Sequence, residues 1–489
     1  MSSQELADRL IALVSSIRVE DFFISPGSRS QALVLAAENL KQNGKAKTVV
    51  RIDERSMSFT ALGSAIASGS PVAMIVTSGT AVANLHPAML EAHHAGVPLI
   101  AITADRPLRL RGKGSNQTTL QPGIFDQRVI DHVDLQGLDD LEETKQKLID
   151  SVRNSQPLQL NVCFDLPLSD KSGASQYLQR IEIPQKEIKT TRIDCNFKGV
   201  VIAGAGGEGA REFAEDAGWP LFAEPSSGSR FGSNVIENYS ELLTNRTRDI
   251  QKVVVFGKPT LNRSVVKLIE SMPEIISVAS RFGPFDIANN AVQVQSASAS
   301  GNAEADWLQS WQQPRSVNDS IRESVITKIW DRTEAEDSVY LGASKIIRVA
   351  DLVAPSKDIS VFSNRGLAGI DGSISTAIGI ALKTKGMTRA IIGDLTAIHD
   401  LGGMNLTELS LPNLQLWVVN DAGGKIFEQL EVKEEVEPEV FDKYFQTPQQ
   451  VNFEKIATAM GWGYELATSE QDIEHCLDIK GPVFIEVRP

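Results

Sequence analysis

Cysteine is scarce in this 489-residue chain, which carries only Cys163, Cys195 and Cys476. An odd, scattered set without CxxC or CxxH spacing argues against a disulfide framework and a structural zinc site, and suits a reducing compartment. Histidine is thin as well, with six residues and no HExxH pattern; His86 and His399 fall near loops of interest, each with a structural role expected. Long apolar runs are missing: no stretch nears the roughly 18–20 apolar residues of a membrane span, and the opening MSSQELADRL is acidic where an export signal is basic. The expectation is a cytoplasmic protein with no membrane crossing. Basic residues are outnumbered, 48 Lys and Arg against 62 Asp and Glu, for a net charge of −14. That balance disfavours nucleic acid as a partner, so any anion must be held in a local basic pocket. What the chain does have is apolar content, 42% of its residues, enough over this length for two to four domains with sizeable cores.

The first third alternates helix and strand signals. Leu6, Leu10, Leu13, Val14 and Ile17 keep helical spacing, and the apolar Phe22-Phe23-Ile24 then runs into SPGSRS. The pattern returns at TVVRIDER (48–55), PVAMIVTSGT (71–80) and VPLIAITADRP (97–107), with a segment of helical length at 81–95. Such alternation predicts a parallel sheet covered on both faces, whose ligands bind beyond the carboxyl ends of the strands. Those ends carry Ser28, Arg29, Glu54, Ser78, Gly79, Asp105 and Arg106. A polar stretch at 169–194 reads as a linker before a second unit opening with GVVIAGAGGEG; SASASGNAEAD (296–306) reads as another before a third. Strands of the third unit are expected at 359–366, 388–396, 414–424 and 482–489, with a helix at SISTAIGIALK.

Two constellations compete. Gly204, Gly206 and Gly209 spell GxGxxG after an apolar run, with Glu224 about 20 residues on, as a dinucleotide site requires; the plain alternative is a tight turn with close helix packing. In the third unit, strands ending in Gly393-Asp394 and Asn420-Asp421 can bring two hard oxygen ligands to neighbouring strand ends, which suits Mg²⁺ bridged to a diphosphate. Backbone N–H groups of Gly369, Gly372, Gly393 and Gly423 could hold that diphosphate; the plain alternative here is helix capping.

GDL(x)₂₄ND at 393–421 resembles the thiamine-diphosphate motif. Together with SPGSRS (25–30), RIDER (51–55), VTSGTAVANLHPAMLEA (76–92), TADRP (103–107), NQ (116–117), SNRGLAGIDG (363–372) and GGKIFEQLE (423–431), it resembles the 2-succinyl-5-enolpyruvyl-6-hydroxy-3-cyclohexene-1-carboxylate synthase family of menaquinone biosynthesis. The match runs in order along nearly the whole chain and is weakest in the middle. The resemblance implies three consecutive parallel-sheet α/β domains of the thiamine-diphosphate enzyme type: a pyrimidine-binding domain at 1–180, a middle Rossmann-like domain without dinucleotide at 190–310, and a diphosphate and Mg²⁺-binding domain at 325–489. It implies a homodimer or dimer of dimers with shared active sites. The implied reaction decarboxylates 2-oxoglutarate and adds the succinyl unit to isochorismate by 1,4 addition. Rival readings are another thiamine-diphosphate enzyme, such as an acetolactate synthase or a 2-oxo acid decarboxylase, and a non-catalytic dinucleotide-binding protein.

The resemblance also assigns roles. Glu54 is the carboxylate that hydrogen-bonds N1′ of the aminopyrimidine, with a first-turn helix residue as its plain alternative. Gln117 and Arg365 join it as catalytic candidates. Ser78, Gly79, Gly369, Ile370, Gly393, Leu395, Thr396, Ile426, Phe427 and Leu430 are expected at the cofactor, the last three as an apolar wedge. Asp394, Asp421 and the carbonyl of Gly423 are the expected ligands of Mg²⁺, with Mn²⁺ as a substitute; many relatives carry Asn where Asp421 stands. Both substrates are dianions, and arginine pairs carboxylates bidentately. Ser28, Arg29, Arg106, Asn116, Gln117, Arg263, Ser344, Arg348 and Arg365 are the substrate-binding candidates, with Ser344 and Arg348, four apart, expected on one helix face.

Overall fold

The computed structural model describes residues 2–170, 178–313, 320–406 and 409–489. Three parallel sheets follow one another along the chain. The first is built from β1 (Asp21–Ile24), β2 (Lys47–Val50), β3 (Val72–Val76), β4 (Leu99–Asp105), β5 (Asp131–Leu135) and β6 (Leu158–Cys163), in the order β2-β1-β3-β4-β6-β5. Its inner strands β3, β4 and β6 are buried along their whole length, because helices cover both faces; that burial is why they read as near-continuous apolar runs. The order reverses between β1 and β3, which pair in register from Phe22↔Ala73 to Ile24↔Ile75. A crevice opens at such a reversal, and SPGSRS and TSGT leave the sheet on its two sides.

After β7 (Thr190–Asp194), the second sheet comprises β8 (Gly199–Ala203), β9 (Leu221–Ala223), β10 (Lys252–Phe256), β11 (Ile275–Val278) and β12 (Ala291–Val294), ordered β12-β11-β10-β8-β9. β13 (Ser296–Ser300) pairs with β7 in a separate two-stranded ribbon. This corrects the linker reading at both places: part of 169–194 lies outside the described residues, but its end is a strand, and SASAS is its partner. The third sheet has β14 (Ser338–Leu341), β15 (Ser360–Phe362), β16 (Thr388–Gly393), β17 (Leu414–Val419), β18 (Gly463–Ala467) and β19 (Val483–Val487), ordered β15-β14-β16-β17-β19-β18. The expected strands at 359–366, 388–396, 414–424 and 482–489 are thus shorter than their apolar runs suggested, since each ends where the loop chemistry begins.

The chain forms two compact units, Met1–Lys186 with Asp371–Lys383 and His399–Leu411, and Glu187–Ile370 with Thr384–Ile398 and Pro412–Pro489. In the first unit, the helix Ser373–Ala381 lies against the helix Glu54–Ser68. Glycines permit the approach: a Cβ at Gly63 would meet the Thr376 carbonyl oxygen at 2.1 Å, and one at Gly379 the Thr60 carbonyl oxygen at 2.1 Å. Arg51, 2% exposed, donates to the carbonyls of Gly403 and Asn405 at 2.6 and 3.2 Å and to Thr60 Oγ1 at 3.0 Å, so the first arginine of RIDER is structural. The three cysteines are buried free thiols. Among the described residues, no helix is long and apolar enough to cross a membrane.

Candidate active site

In the first unit, Asp53 caps the helix Glu54–Ser68 by accepting from the N–H groups of Arg55 and Ser56, which places Glu54 at the first helical position just beyond β2. Its Oε2 accepts from Asn84 Nδ2 at 3.3 Å. The strand-end reading and the helix-start reading are therefore both correct for this residue. Beyond β3 and β4, four candidates meet. Ser78 Oγ donates to the Gln117 carbonyl at 2.9 Å, Gln117 Nε2 donates to the Ser78 carbonyl at 2.9 Å, and Arg106 Nη1 reaches both Ser78 Oγ (3.1 Å) and the Gln117 carbonyl (3.0 Å). Gly79, at φ 82°, packs so closely that a Cβ would meet Gln117 Cγ at 2.8 Å. Arg106 is thereby buried and occupied in holding the loop. Arg29 is half-buried and donates to the Phe164 carbonyl at 3.2 Å, whereas Ser28 and Asn116 are exposed. His399 is engaged by Arg55 through its ring and carbonyl, and His86 contacts Phe125 edge-on. Both have structural partners.

In the second unit, β14 and β16 are adjacent at the reversal of the third sheet, and β17 lies beside β16. The segments leaving these three strands line one small cavity of about 170 Å³: Ser344 and Lys345 after β14, Gly393, Asp394, Leu395 and Thr396 at the end of β16, and Asp421, Gly423, Ile426 and Phe427 after β17. Asp394 is 5% exposed; its Oδ1 accepts from Leu395 N at 2.8 Å and its Oδ2 from Gly423 N at 2.7 Å. Burial raises its carboxyl, the two N–H groups oppose this, and Asp421 adds to the rise. Arg322, a residue with no sequence signal, donates to Asp421 Oδ1. Gly423 sits at φ 126° with the Gln446 carbonyl oxygen 2.4 Å from where a Cβ would stand, so only glycine fits.

A second cavity of about 880 Å³ shares Ser344, Ile370, Ile426 and Phe427 with the first. Arg263, Arg348, Arg365, Gly369 and Leu430 line it, and so does Lys258, two residues beyond the end of β10 and not among the candidates from the sequence. Among the described residues of this wall, Asp351 is the sole acid beside four basic side chains, so the wall favours anions. Ser344 corrects one expectation. It stands before the helix Lys345–Val353, at φ 76°, and reaches the cavity from the loop and not from a shared helix face. Gly372 lies outside both linings and belongs to the first unit, where a Cβ would strike Phe59 at 1.9 Å.

The glycine fingerprint is consumed by packing. The crevice of the second sheet lies between β8 and β10, and there a Cβ on Gly204 would fall 2.0 Å from Pro259 N. Ala205 and Lys258 exchange backbone hydrogen bonds across it, and Gly206 abuts Phe282. Glu224, the supposed ribose ligand, accepts instead from Thr260 and Leu261 N–H.

Residues 4–129 match the family model for the N-terminal TPP binding domain of thiamine pyrophosphate enzymes. The 2-succinyl-5-enolpyruvyl-6-hydroxy-3-cyclohexene-1-carboxylate synthases of Leifsonia xyli subsp. xyli and Renibacterium salmoninarum are each 37% identical to this chain, over 96% and 100% of it and 93% and 94% of their own lengths. The chain belongs to this synthase family. The synthase of Corynebacterium diphtheriae is 34% identical over 98% of the chain. A synthase of this family fits the geometry above, since the donors around Asp394 are hard oxygens set among backbone N–H groups, the chemistry a divalent cation and a diphosphate require. A carboxyl raised chiefly by burial, with a second carboxylate adding to the rise, is also the place where a cation relieves repulsion.

Proposed function

We propose that this chain decarboxylates 2-oxoglutarate with thiamine diphosphate and Mg²⁺ and adds the resulting succinyl unit to isochorismate by 1,4 addition, releasing CO₂ and the product for which its relatives are named. Near-full-length identity to those synthases carries the reading. When bound, thiamine diphosphate would supply the electron sink that loss of CO₂ from a 2-oxo acid requires.

The chain's own residues do the rest. Asp394, Asp421 and the Gly423 carbonyl would hold the metal, with Gly393, Leu395 and Thr396 beside the diphosphate. Ile426, Phe427 and Leu430, on and just after the 3₁₀ turn Lys425–Gln429, present an apolar surface to the rings. Glu54 would hold the proton at N1′, in a pyrimidine site with Ser78 and Gly79. Arg348, Arg365, Arg263 and Lys258 bind substrate carboxylates, and the apolar part of that wall limits water at the reacting carbon. Ser28, Arg29, Asn116 and Gln117 would complete the isochorismate side. In this reading residues 1–180 are the pyrimidine domain, 190–310 the middle domain and 325–489 the diphosphate domain, and two copies of a cytoplasmic chain share each site.

The test is turnover of 2-oxoglutarate and isochorismate, with cofactor and Mg²⁺ added or withheld, and the product identified by mass spectrometry. CO₂ release that does not depend on isochorismate, with an aldehyde as product, would instead favour a simple decarboxylase.

A further inference from the structure

Glu224 follows β9 directly and is 3% exposed although its side chain is a carboxylic acid. Oε1 accepts the N–H groups of Thr260 at 2.6 Å and Leu261 at 2.7 Å, while Oε2 is closed off from solvent with no hydrogen-bond partner among the described residues. The corner that Glu224 fixes is itself part of the larger cavity. Thr260 Oγ1 accepts from Arg365 Nη2, and Arg365, 4% exposed, lines that cavity with Lys258, Arg263 and Arg348. One buried carboxyl thus sets a backbone corner, and the corner's hydroxyl sets a guanidinium.

The charged and titratable groups around Glu224 come from several elements. Arg365 faces it from the loop after β15, Asp351 from the helix Lys345–Val353, and Tyr239 from the helix Tyr239–Arg246. Tyr239 donates to the Asp351 carboxylate, at 2.6 and 2.7 Å from its two oxygens. Arg230 lies 3.6 Å from Asp351, and Arg348 also acts on it. An ionised Glu224 answers the charge of Arg365 from behind the cavity wall. A neutral Glu224 does not compete in this way with an anion that enters.

We propose that Glu224 is a positioning residue for substrate carboxylates: it aims Arg365 through Thr260, and its charge competes with the ligand for that guanidinium, so that anion binding and proton uptake by Glu224 occur together. The proposal rests on reading the cavity as the substrate pocket. Burial, with Asp351 adding to it, raises the Glu224 carboxyl to about 7 against the opposing effect of Arg365 and the two N–H groups, so both charge states are populated near neutrality.

Calorimetric titration of the holoenzyme with glutarate, a dicarboxylate without a keto carbon to react, reads this directly in buffers of different ionisation enthalpy. Wild type should bind glutarate at least about threefold less tightly at about pH 8.5 than at about pH 6, with net proton uptake between them. Glu224→Gln keeps an acceptor for the two N–H groups and should lose both the pH dependence and the uptake. Thr260→Val removes the hydroxyl that aims Arg365 and should weaken binding at both pH values with the ratio retained. A Glu224→Gln protein with the wild-type pH ratio and uptake overturns the proposal, as does wild type that ignores glutarate or binds it without pH dependence. Turnover of wild type with 2-oxoglutarate and isochorismate is scored separately. If glutarate behaves as described and that turnover is absent, the functional reading fails while the role of Glu224 stands.

Discussion

Arg322 grips the carboxylate of Asp421, and both side chains are largely buried, at 17% and 12% exposure. The pair explains how a second acid is tolerated beside Asp394: Arg322 cancels one negative charge, leaving a site no more anionic than one with Asn at this position. A unit charge at contact distance in an effective dielectric of about 20 is worth roughly 4 kcal/mol. Asp421→Asn, which strands Arg322, should therefore weaken divalent-cation binding by at least about tenfold, and Arg322→Gln should strengthen it. The double variant should return close to wild type. Titration with Mn²⁺ followed by electron paramagnetic resonance measures all three, and additive single effects in the double variant would show that the two residues act independently at the metal.

The proposed roles of Asp394 and Glu54 separate binding from chemistry. Asp394→Ala removes a buried carboxylate, the proposed metal ligand and the acceptor for Leu395 and Gly423 N–H, so metal-dependent cofactor binding should disappear. Glu54→Gln keeps a hydrogen-bonding group at the helix start and should keep cofactor affinity, while hydrogen–deuterium exchange at cofactor C2 slows by about 10²-fold or more. Magnetic resonance of the bound cofactor gives that exchange rate, and a wild-type rate in the Gln variant would remove Glu54 from the role.

Arg106 has its guanidinium on Ser78 and on the Gln117 carbonyl, so its influence on substrate should be exerted through Gln117. Arg106→Ala leaves buried partners unsatisfied and should cost about 1–3 kcal/mol of stability. In steady-state kinetics KM for isochorismate should rise while KM for 2-oxoglutarate holds; equal rises in both would mark Arg106 as a direct carboxylate ligand.

The strands that position the site were legible because sheet burial forces apolar runs, and each run stops at its loop. Asp394 and Asp421 were legible for the same reason: β16 and β17 are consecutive, parallel and adjacent, so their ends converge. β7 and β13 were not, since SASAS alternates small residues in a half-buried ribbon and carries no apolar signal. Arg322 and Lys258 also escaped notice, because what gives them meaning is a partner far along the chain: Arg322 is 99 residues from Asp421, and Lys258 reaches the Gly366 carbonyl 108 residues away. The GxGxxG pattern misled in the opposite direction. Gly204 serves close packing against 258–259 and Gly206 against Phe282, uses that look identical in sequence to phosphate binding.

The buried acid Glu224 should leave its mark on stability as well as on binding. Its carboxyl is raised to about 7 in the folded chain from an ordinary 4.5, with burial the largest cause. The folded state therefore holds the proton more tightly than the unfolded state does. Its stabilising contribution is complete below about pH 4.5 and is lost as pH climbs through about 7, a fall on the order of 3 kcal/mol across that window. Glu224→Gln does not titrate, so the stability difference between variant and wild type should shift in the variant's favour from about pH 5 to about pH 7 and then stay level. Urea midpoints of the two proteins at unit pH steps from about 5 to about 8 measure the difference directly. A difference that stays constant across that range would mean that Glu224 is already ionised at the acid end, and that Arg365 and the two backbone N–H groups outweigh its burial.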